Sequence, residues 1–339
     1  MKNIPVIIFI LLFIFSCAKP NKTFAPEEPK LTVEKVFPTT GYVRDFTISD
    51  NYLFATVDQN GFSVFDLQTD TLVINYTNYL HAPRLISIAQ DTLLFVYDLY
   101  GSPASINCFN ISDINNPQYL PPILSDTAGL EDFEVLTTES DTIKITYTKN
   151  DASSNKIKMI NATITNNFWQ FTPEFDANQV FDYPVHHFCK YQNGIYYIAN
   201  EQKGVAVLDI SNPFNPLLQS YIDTPGSAYD VKRVDNYLYI ADKHEGFEVF
   251  KLDENNVWNM IYHYDTSGYA KQLAYSQDYV ALASGGGGIY LFDISDKTNI
   301  SLFGHIDDDE IGYTYRTKFF AETLYVGTRN GIYQLKIEK

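Results

Sequence analysis

The chain repeats itself at a nearly constant interval, and this limits its architecture more than any other feature. Four runs in the C-terminal part match one another: GVAVLDI from Gly204, GFEVFKL from Gly246, GIYLFDI from Gly288 and GIYQLKI from Gly331. Their starts lie 42, 42 and 43 residues apart, the length of one four-stranded propeller blade. In the repeat from Tyr221 to Ile261, four segments read as strands joined by tight turns. They are DVKRV (Asp230 to Val234), NYLYIAD (Asn236 to Asp242), Phe247 to Leu252, and WNMIYHY (Trp258 to Tyr264). Apolar residues fall on both faces of the second strand, Leu238 and Ile240 against Tyr237 and Tyr239. Such a strand is covered on both sides, as in stacked blades; a sheet with one wet face alternates more cleanly.

Weaker copies of the third-strand motif precede these: GFSVFDL at Gly61, SINCFNI at Ser105 and a degenerate IKMINAT at Ile157. The matching positions are Phe65, Phe109, Ile160, Leu208, Phe250, Phe292 and Leu335, at intervals of 44, 51, 48, 42, 42 and 43. The expectation is an all-β chain forming a single β-propeller of seven four-stranded blades, or six if the copy at Ile157 is discounted. The two long intervals are assigned to surface insertions, chiefly Lys149 to Asn155 and Asn166 to Asp182. The last copy stops after its third strand, while LTVEKVFPTTG (Leu31 to Gly41) looks like the fourth-strand segment LLQSYIDTPG (Leu217 to Gly226). The N-terminal strand is therefore expected to complete the last blade and remove an open edge.

Before that strand stands an address. Lys2 precedes the apolar run Ile4 to Phe15, a stretch of 12 residues, too short for a bilayer span of about 20. Ser16 before Cys17 is similar to a bacterial lipobox, and a polar tail follows at once. The reading is a signal peptide over residues 1–16, a tether over 17–30 lipidated at Cys17, and the propeller over 31–339. It places the protein in the bacterial cell envelope, membrane-anchored without a spanning helix. Ala18 rather than Asp favours the outer membrane by the enterobacterial sorting rule.

Abundant Tyr (26) and Phe (24) suit strands. A formal net charge of −17 argues against nucleic acid as a partner. Past Cys17 only Cys108 and Cys189 remain, in different predicted blades; a disulfide between them is not expected, and two lone cysteines make no metal site.

The segment GVAVLDISNPFNPLLQSYIDTPGSAYDVKRVDNYLYIAD, from Gly204 to Asp242, resembles the LVIVD repeat of bacterial and archaeal cell-surface propeller proteins. GYVRDFTISDNYLFATV (Gly41 to Val57), GYAKQLAYSQDYVALAS (Gly268 to Ser284) and FDISDKTN after it extend the likeness. It is good over Leu31 to Asp66 and Gly194 to Lys339, and poor from Pro121 to Pro184. The resemblance implies a surface propeller and no single activity. Asp209, Ser211 and Pro213 are read as a turn that bonds its own backbone.

Propellers bind at the channel mouth, where first strands begin. The residues at that point are Arg44, Arg84, Glu131, His186, Tyr229, Lys271 and Tyr315, with Arg316 beside the last. Five of these eight are Arg, Lys or His, in an acidic protein. They suit a carboxylate or phosphate, with the tyrosines stacking on a sugar or other flat group. A wet rim would also be polar.

His186 and His187 are adjacent, and strand alternation would turn them to opposite faces, against a shared metal. The acidic run Asp307 to Glu310 lacks a DxDxDG pattern, and Ser284 to Gly288 reads as a hairpin turn rather than a phosphate loop. No GxSxG or Ser-His-Asp grouping is evident; the spatial pairing of carboxylates for glycoside hydrolysis is left open. No cofactor or metal is expected. The reading is a non-catalytic, monomeric binding or scaffold module for an envelope protein, with an anionic small molecule or glycan at the channel mouth as the alternative.

Overall fold

The structure is a computed structural model that describes residues 30–137, 142–152, 154–165, 168–176, 181–212 and 214–338. The signal peptide, Cys17, nearly all of the tether, and Pro213 of the proposed turn lie outside the described residues. Seven four-stranded antiparallel sheets form a ring, a β-propeller. Blades 1 to 7 have inner strands Val43–Ser49, Pro83–Ala89, Leu130–Thr137, Phe188–Lys190, Asp230–Val234, Gln272–Tyr275 and Thr314–Phe320. Each matched third-strand position, Phe65 to Leu335, falls in the third strand of its own blade, the degenerate Ile160 included.

Burial follows from stacking. Second strands such as Leu93–Asp98 and Tyr279–Ala283 are buried at every residue. Seven apolar clusters fill the seven interfaces between neighbouring blades, the last joining blade 7 to blade 1 through Phe37, Phe46, Phe65, Tyr325 and Ile332. The ring has no uncovered blade face. Its fourth strand in blade 7 is Leu31–Phe37, antiparallel to Gly331–Ile337 from Leu31↔Ile337 to Phe37↔Ile332. The N-terminal strand thus closes the last blade as expected.

The glycine that opens the repeat motif has a definite reason. Gly61, Gly204, Gly246 and Gly288 share φ of 73–86°, and a Cβ at each would lie 1.8–2.3 Å from the carbonyl oxygen of the last residue of the blade's fourth strand. Only glycine tolerates both the left-handed backbone and that approach.

A bulge recurs opposite the motif's core. The fourth strand carries one extra residue at Val73, Gln219, Ile261 and Phe303, facing Val64/Phe65, Val207/Leu208, Val249/Phe250 and Leu291/Phe292. Blade 3 has the same irregularity at Met159/Ile160 and blade 7 at Leu335/Gln334.

One expectation is corrected. Lys149 to Asn155 and the segment after Asn166 are not loop insertions. Strands Ile143–Asp151 and Ser154–Thr165 stay in register out to Asp151↔Ser154, and Phe168–Asp176 is the blade's fourth strand. Blade 3 is longer because its hairpins are longer; polar residues pair there without the Gly turn that marks the other blades. Ser284 to Gly288 is a turn between second and third strands, and Asp209 accepts from the Ser211 N–H at 2.8 Å, both as read from sequence.

Phe37 is 1% exposed and packs edge-on against Phe65 at 5.4 Å. Phe37→Ala is expected to cost about 3–5 kcal/mol in urea unfolding. A variant as stable as the parent would show that the N-terminal strand does not carry ring closure.

Candidate functional site

Every inner strand begins with two residues opposite one. Arg44 and Asp45 face Thr56; Arg84 is extra against Tyr97, Glu131 against Thr148, and Tyr315 against Gly327. In blades 4 to 6 the pairs His186/His187, Tyr229/Asp230 and Lys271/Gln272 bracket Ala199, Ala241 and Ala283 in the same way. This repeated bulge is what turns two successive side chains toward the central channel. The channel is thereby lined by two rings, one at the mouth and one just below.

This corrects the reading of His186 and His187. Both face the channel side. The His186 ring stacks on Tyr229 at 4.0 Å and bonds Glu201 at 2.9 Å and Glu131 at 3.4 Å. His187 contacts Asp132 at 3.0 Å and, across the channel, Arg316 at 2.7 Å. The geometry fits Nδ1–H donating to Asp132 while Nε2 accepts from Arg316. The two imidazoles still point to different partners.

The second ring is structural. Asp45 accepts from the N–H of Phe46 at 2.9 Å and of Ile86 in the next blade at 3.1 Å. Asp230 does the same for Val231 and Leu273, both at 2.8 Å, and Gln272 accepts from Thr317 N–H at 2.6 Å. These side chains stitch each inner strand to its neighbour. Arg316 lies 3.6 Å from Asp45. Burial works against the Asp132 carboxylate, but His187 and then Arg316 outweigh it and hold it at about 2.

His187 and Arg316 line both of two channel cavities. The mouth cavity, about 320 Å³, is lined by Arg44, Arg84, Glu131, Tyr229, Lys271, Tyr315 and Arg316 among others. All the sequence-selected mouth residues except His186 therefore share one space, and His186 lies against Tyr229. The cavity beyond the constriction, about 410 Å³, was not foreseen; it is edged by Glu134, Cys189, Lys190, Lys232 and Lys318. These sit two residues or more along the inner strands, so alternation past the bulge could have located them.

The mouth is cationic and aromatic. Arg44 sits 4.5 Å over Tyr315 and donates to Asp58 from Nη2 at 2.6 Å. Lys271 lies 5.1 Å from the Tyr313 ring centre, and Arg329 lies 5.2 Å from both Tyr42 and Tyr313. Arg84 reaches Asp58 only at 3.6 Å, and its buried Nε has no hydrogen-bond partner. Among the described residues, no carboxylate lies within 4.0 Å of Lys271 Nζ. Glu201 is held down at about 2 by hydrogen bonds from His186 and Lys243, the latter at 2.5 Å. Burial opposes charge on His186, yet Glu131 and Glu201 raise its pKa above the ordinary value. The 2.9 Å contact holds His186 and Glu201 as hydrogen-bonded partners of one another.

The family model for the LVIVD repeat matches residues 40–68, 194–224, 225–250 and 267–308. The chain carries LVIVD repeats. They fall in blades 1, 4, 5 and 6, while the LVIVD match does not reach blades 2, 3 and 7, whose strands complete the ring without it. No curated protein matches the sequence. Among solved structures, the crystal structure of the computationally designed Ika8 protein is similar in fold, with a TM-score of 0.64 and 10% identity over 89% of this chain and 98% of that one. No helix among the described residues is long and apolar enough to cross a membrane. Cys108 and Cys189 are free thiols, pushed up by burial to about 12 and about 11. Asp307, Asp308 and Asp309 bring carboxylate oxygens within 4.8 Å on a one-turn helix, Asp308–Ile311, where a loop was expected.

Removing one member of a buried ionic network leaves the others unpaired. Arg316→Ala is expected to cost about 3–5 kcal/mol in chemical unfolding, with part recovered in Arg316→Ala/Asp132→Asn. Additive losses in the double variant would show that the constriction is not held by this pairing.

Proposed function

We propose that this protein is a non-catalytic binding propeller that takes an anionic group, a carboxylate or phosphate of a small molecule or glycan, at the channel mouth. One observation supports this above the others. In a chain with 41 acidic against 24 basic residues, the buried Arg84 Nε has no acceptor, the partly buried Lys271 has no carboxylate within 4.0 Å among the described residues, and both line the mouth cavity. A buried cationic donor without a partner is costly, and an anion supplies what the protein withholds. Tyr229 and Tyr315 add flat apolar surface at the same place.

Docking of an envelope protein would rest instead on a continuous apolar rim. The large exposed apolar side chains are spread over several blades: Leu72, Phe168, Leu217 and Met260 on outer strands, Phe214 and Val257 in turns, and Tyr42, Tyr79, Tyr100 and Tyr269 in loops. The sequence before Leu31 supports lipid anchoring at Cys17 in a bacterial envelope, presenting the propeller to ligands there.

Calorimetric titration with galacturonate, glucose 6-phosphate and pyrophosphate tests the reading. At least one is expected to bind, and Lys271→Gln to weaken it about tenfold or more, the worth of one charge-assisted hydrogen bond. His186 is protonated below its raised pKa and loses its charge as pH rises through it. Affinity is therefore expected to be higher at pH 6 than at pH 9, and His186→Asn to flatten that dependence. Unchanged affinity in Lys271→Gln would remove the mouth from consideration.

A further inference from the structure

Blade 5 buries two carboxylates together, where blades 4 and 6 bury neutral groups and blade 2 buries a single acid, Asp98, which accepts from the N–H groups of His81 and Ala82 at 2.8 and 2.7 Å. Asp242 ends the second strand and Glu248 lies in the third; both are fully buried. Glu248 lies opposite Ile240, on the face turned to blade 4, since Phe247 and Val249 pack toward blade 6. Thr224, in the turn leaving blade 4, is also buried. Asp242 Oδ1, Glu248 Oε1, Glu248 Oε2 and Thr224 Oγ1 make no well-formed hydrogen bond, although Thr224, Glu248 and the Ser227 N–H all crowd the Asp242 carboxyl. The remaining Asp242 oxygen accepts from the Gly226 N–H at 2.8 Å. Among the described residues, no Lys, Arg or His lies within 4.0 Å of either carboxylate.

The repeats provide their own control. The corresponding residues of blade 6 are Thr266, Ser284 and Tyr290. There Thr266 bonds Ser284 at 3.2 Å, Ser284 donates to the Ser267 carbonyl at 2.6 Å, and Tyr290 meets Ser267 Oγ at 2.7 Å. In blade 4, Asn200 Nδ2 donates to the Tyr183 carbonyl at 2.7 Å. The fold therefore satisfies this position directly when it holds neutral groups or a single acid. In blade 5 it sets oxygens against oxygens.

We propose that Asp242, Glu248 and Thr224 form a binding site for a hard divalent cation, of the calcium or magnesium class, between blades 4 and 5. Two carboxylates and a hydroxyl are oxygen donors of the type such ions take, and a charge of +2 neutralises both acids in a place without a basic side chain. A single shared proton would meet only part of this demand. Glu245 stands at the entrance: a Cβ on Gly226 would lie 2.7 Å from its Cγ and 2.9 Å from Asp242 Oδ1. His263, beside Glu245, bonds its carbonyl at 2.8 Å. The other neighbours in the hairpin face elsewhere, Lys243 to Glu201 and His244 to Tyr269. The ion would pin the loop Thr224–Ala228, which delivers Tyr229 to the mouth. Proton and cation compete for these oxygens, so binding strengthens as pH rises.

The test is thermal unfolding and calorimetry of the full chain, stripped with EDTA, against CaCl2 and MgCl2 alone at pH 7 and pH 9. The expected result is one ion per chain, tighter at pH 9, raising Tm by about 3 °C or more at a hundred times Kd. Glu248→Gln, nearly isosteric with the protonated acid, and Asp242→Asn should abolish the shift. Asp308→Asn in the exposed acidic turn should leave it intact. A shift that survives Glu248→Gln, or no binding of either ion at pH 9, would overturn the proposal. In the second case a Glu248→Gln variant more stable than the parent above pH 8 would show a proton-sharing pair instead.

Discussion

A blade cannot bury both of its faces alone, and the whole structure follows from that need. Each second strand is apolar on both sides, so each sheet requires a neighbour on either side, and the series ends only when it meets its own beginning. Pairing of Leu31–Phe37 with Gly331–Ile337 makes the meeting covalently continuous with both ends of the chain. It removes the last open edge. The same ring brings seven inner strands together around a channel, and this is why residues as far apart in sequence as Arg44 and Arg316 share one cavity.

Within that frame the bulge at the start of each inner strand divides labour. One residue of each bulged pair sits lower and serves the ring, as Asp45, Asp230 and Gln272 do by accepting backbone N–H groups of the next blade. The other sits at the mouth. There Lys271 has no comparable duty and Arg84 has only a 3.6 Å approach to Asp58, while Arg44 holds Asp58 at 2.6 Å and His186 is locked between Glu131 and Glu201. A binding reading rests on the cations left over, not on the total number of cations in the ring.

Much of this was legible in the residues. The 42-residue spacing located blades 4 to 7, and strands such as Asp230–Val234 and Trp258–Tyr264 begin and end where turn residues and alternation place them. The degenerate blade 3 was found through Ile160 but its hairpins were misjudged, because extended polar ladders leave no Gly or Pro to mark their ends. Alternation failed for His186 and His187, since a bulge is a property of the ladder between two strands rather than of either strand's sequence. The buried pair Asp242 and Glu248 had a visible trace: acids stand where Gly288's repeat has Ser284 and Tyr290. Their burial, however, depends on the blade 4 face against them, which no local pattern reports.

The central claim is that the mouth leaves Arg84 Nε and Lys271 Nζ without acceptors and so leaves them for an anion. Crystals grown from bromide would test this through anomalous scattering. The account predicts an anion in the mouth cavity within reach of Arg84 Nε and Lys271 Nζ, and loss of that peak in Lys271→Gln. Bromide confined to the outer surface, with Arg84 and Lys271 each folded onto a carboxylate, would contradict it.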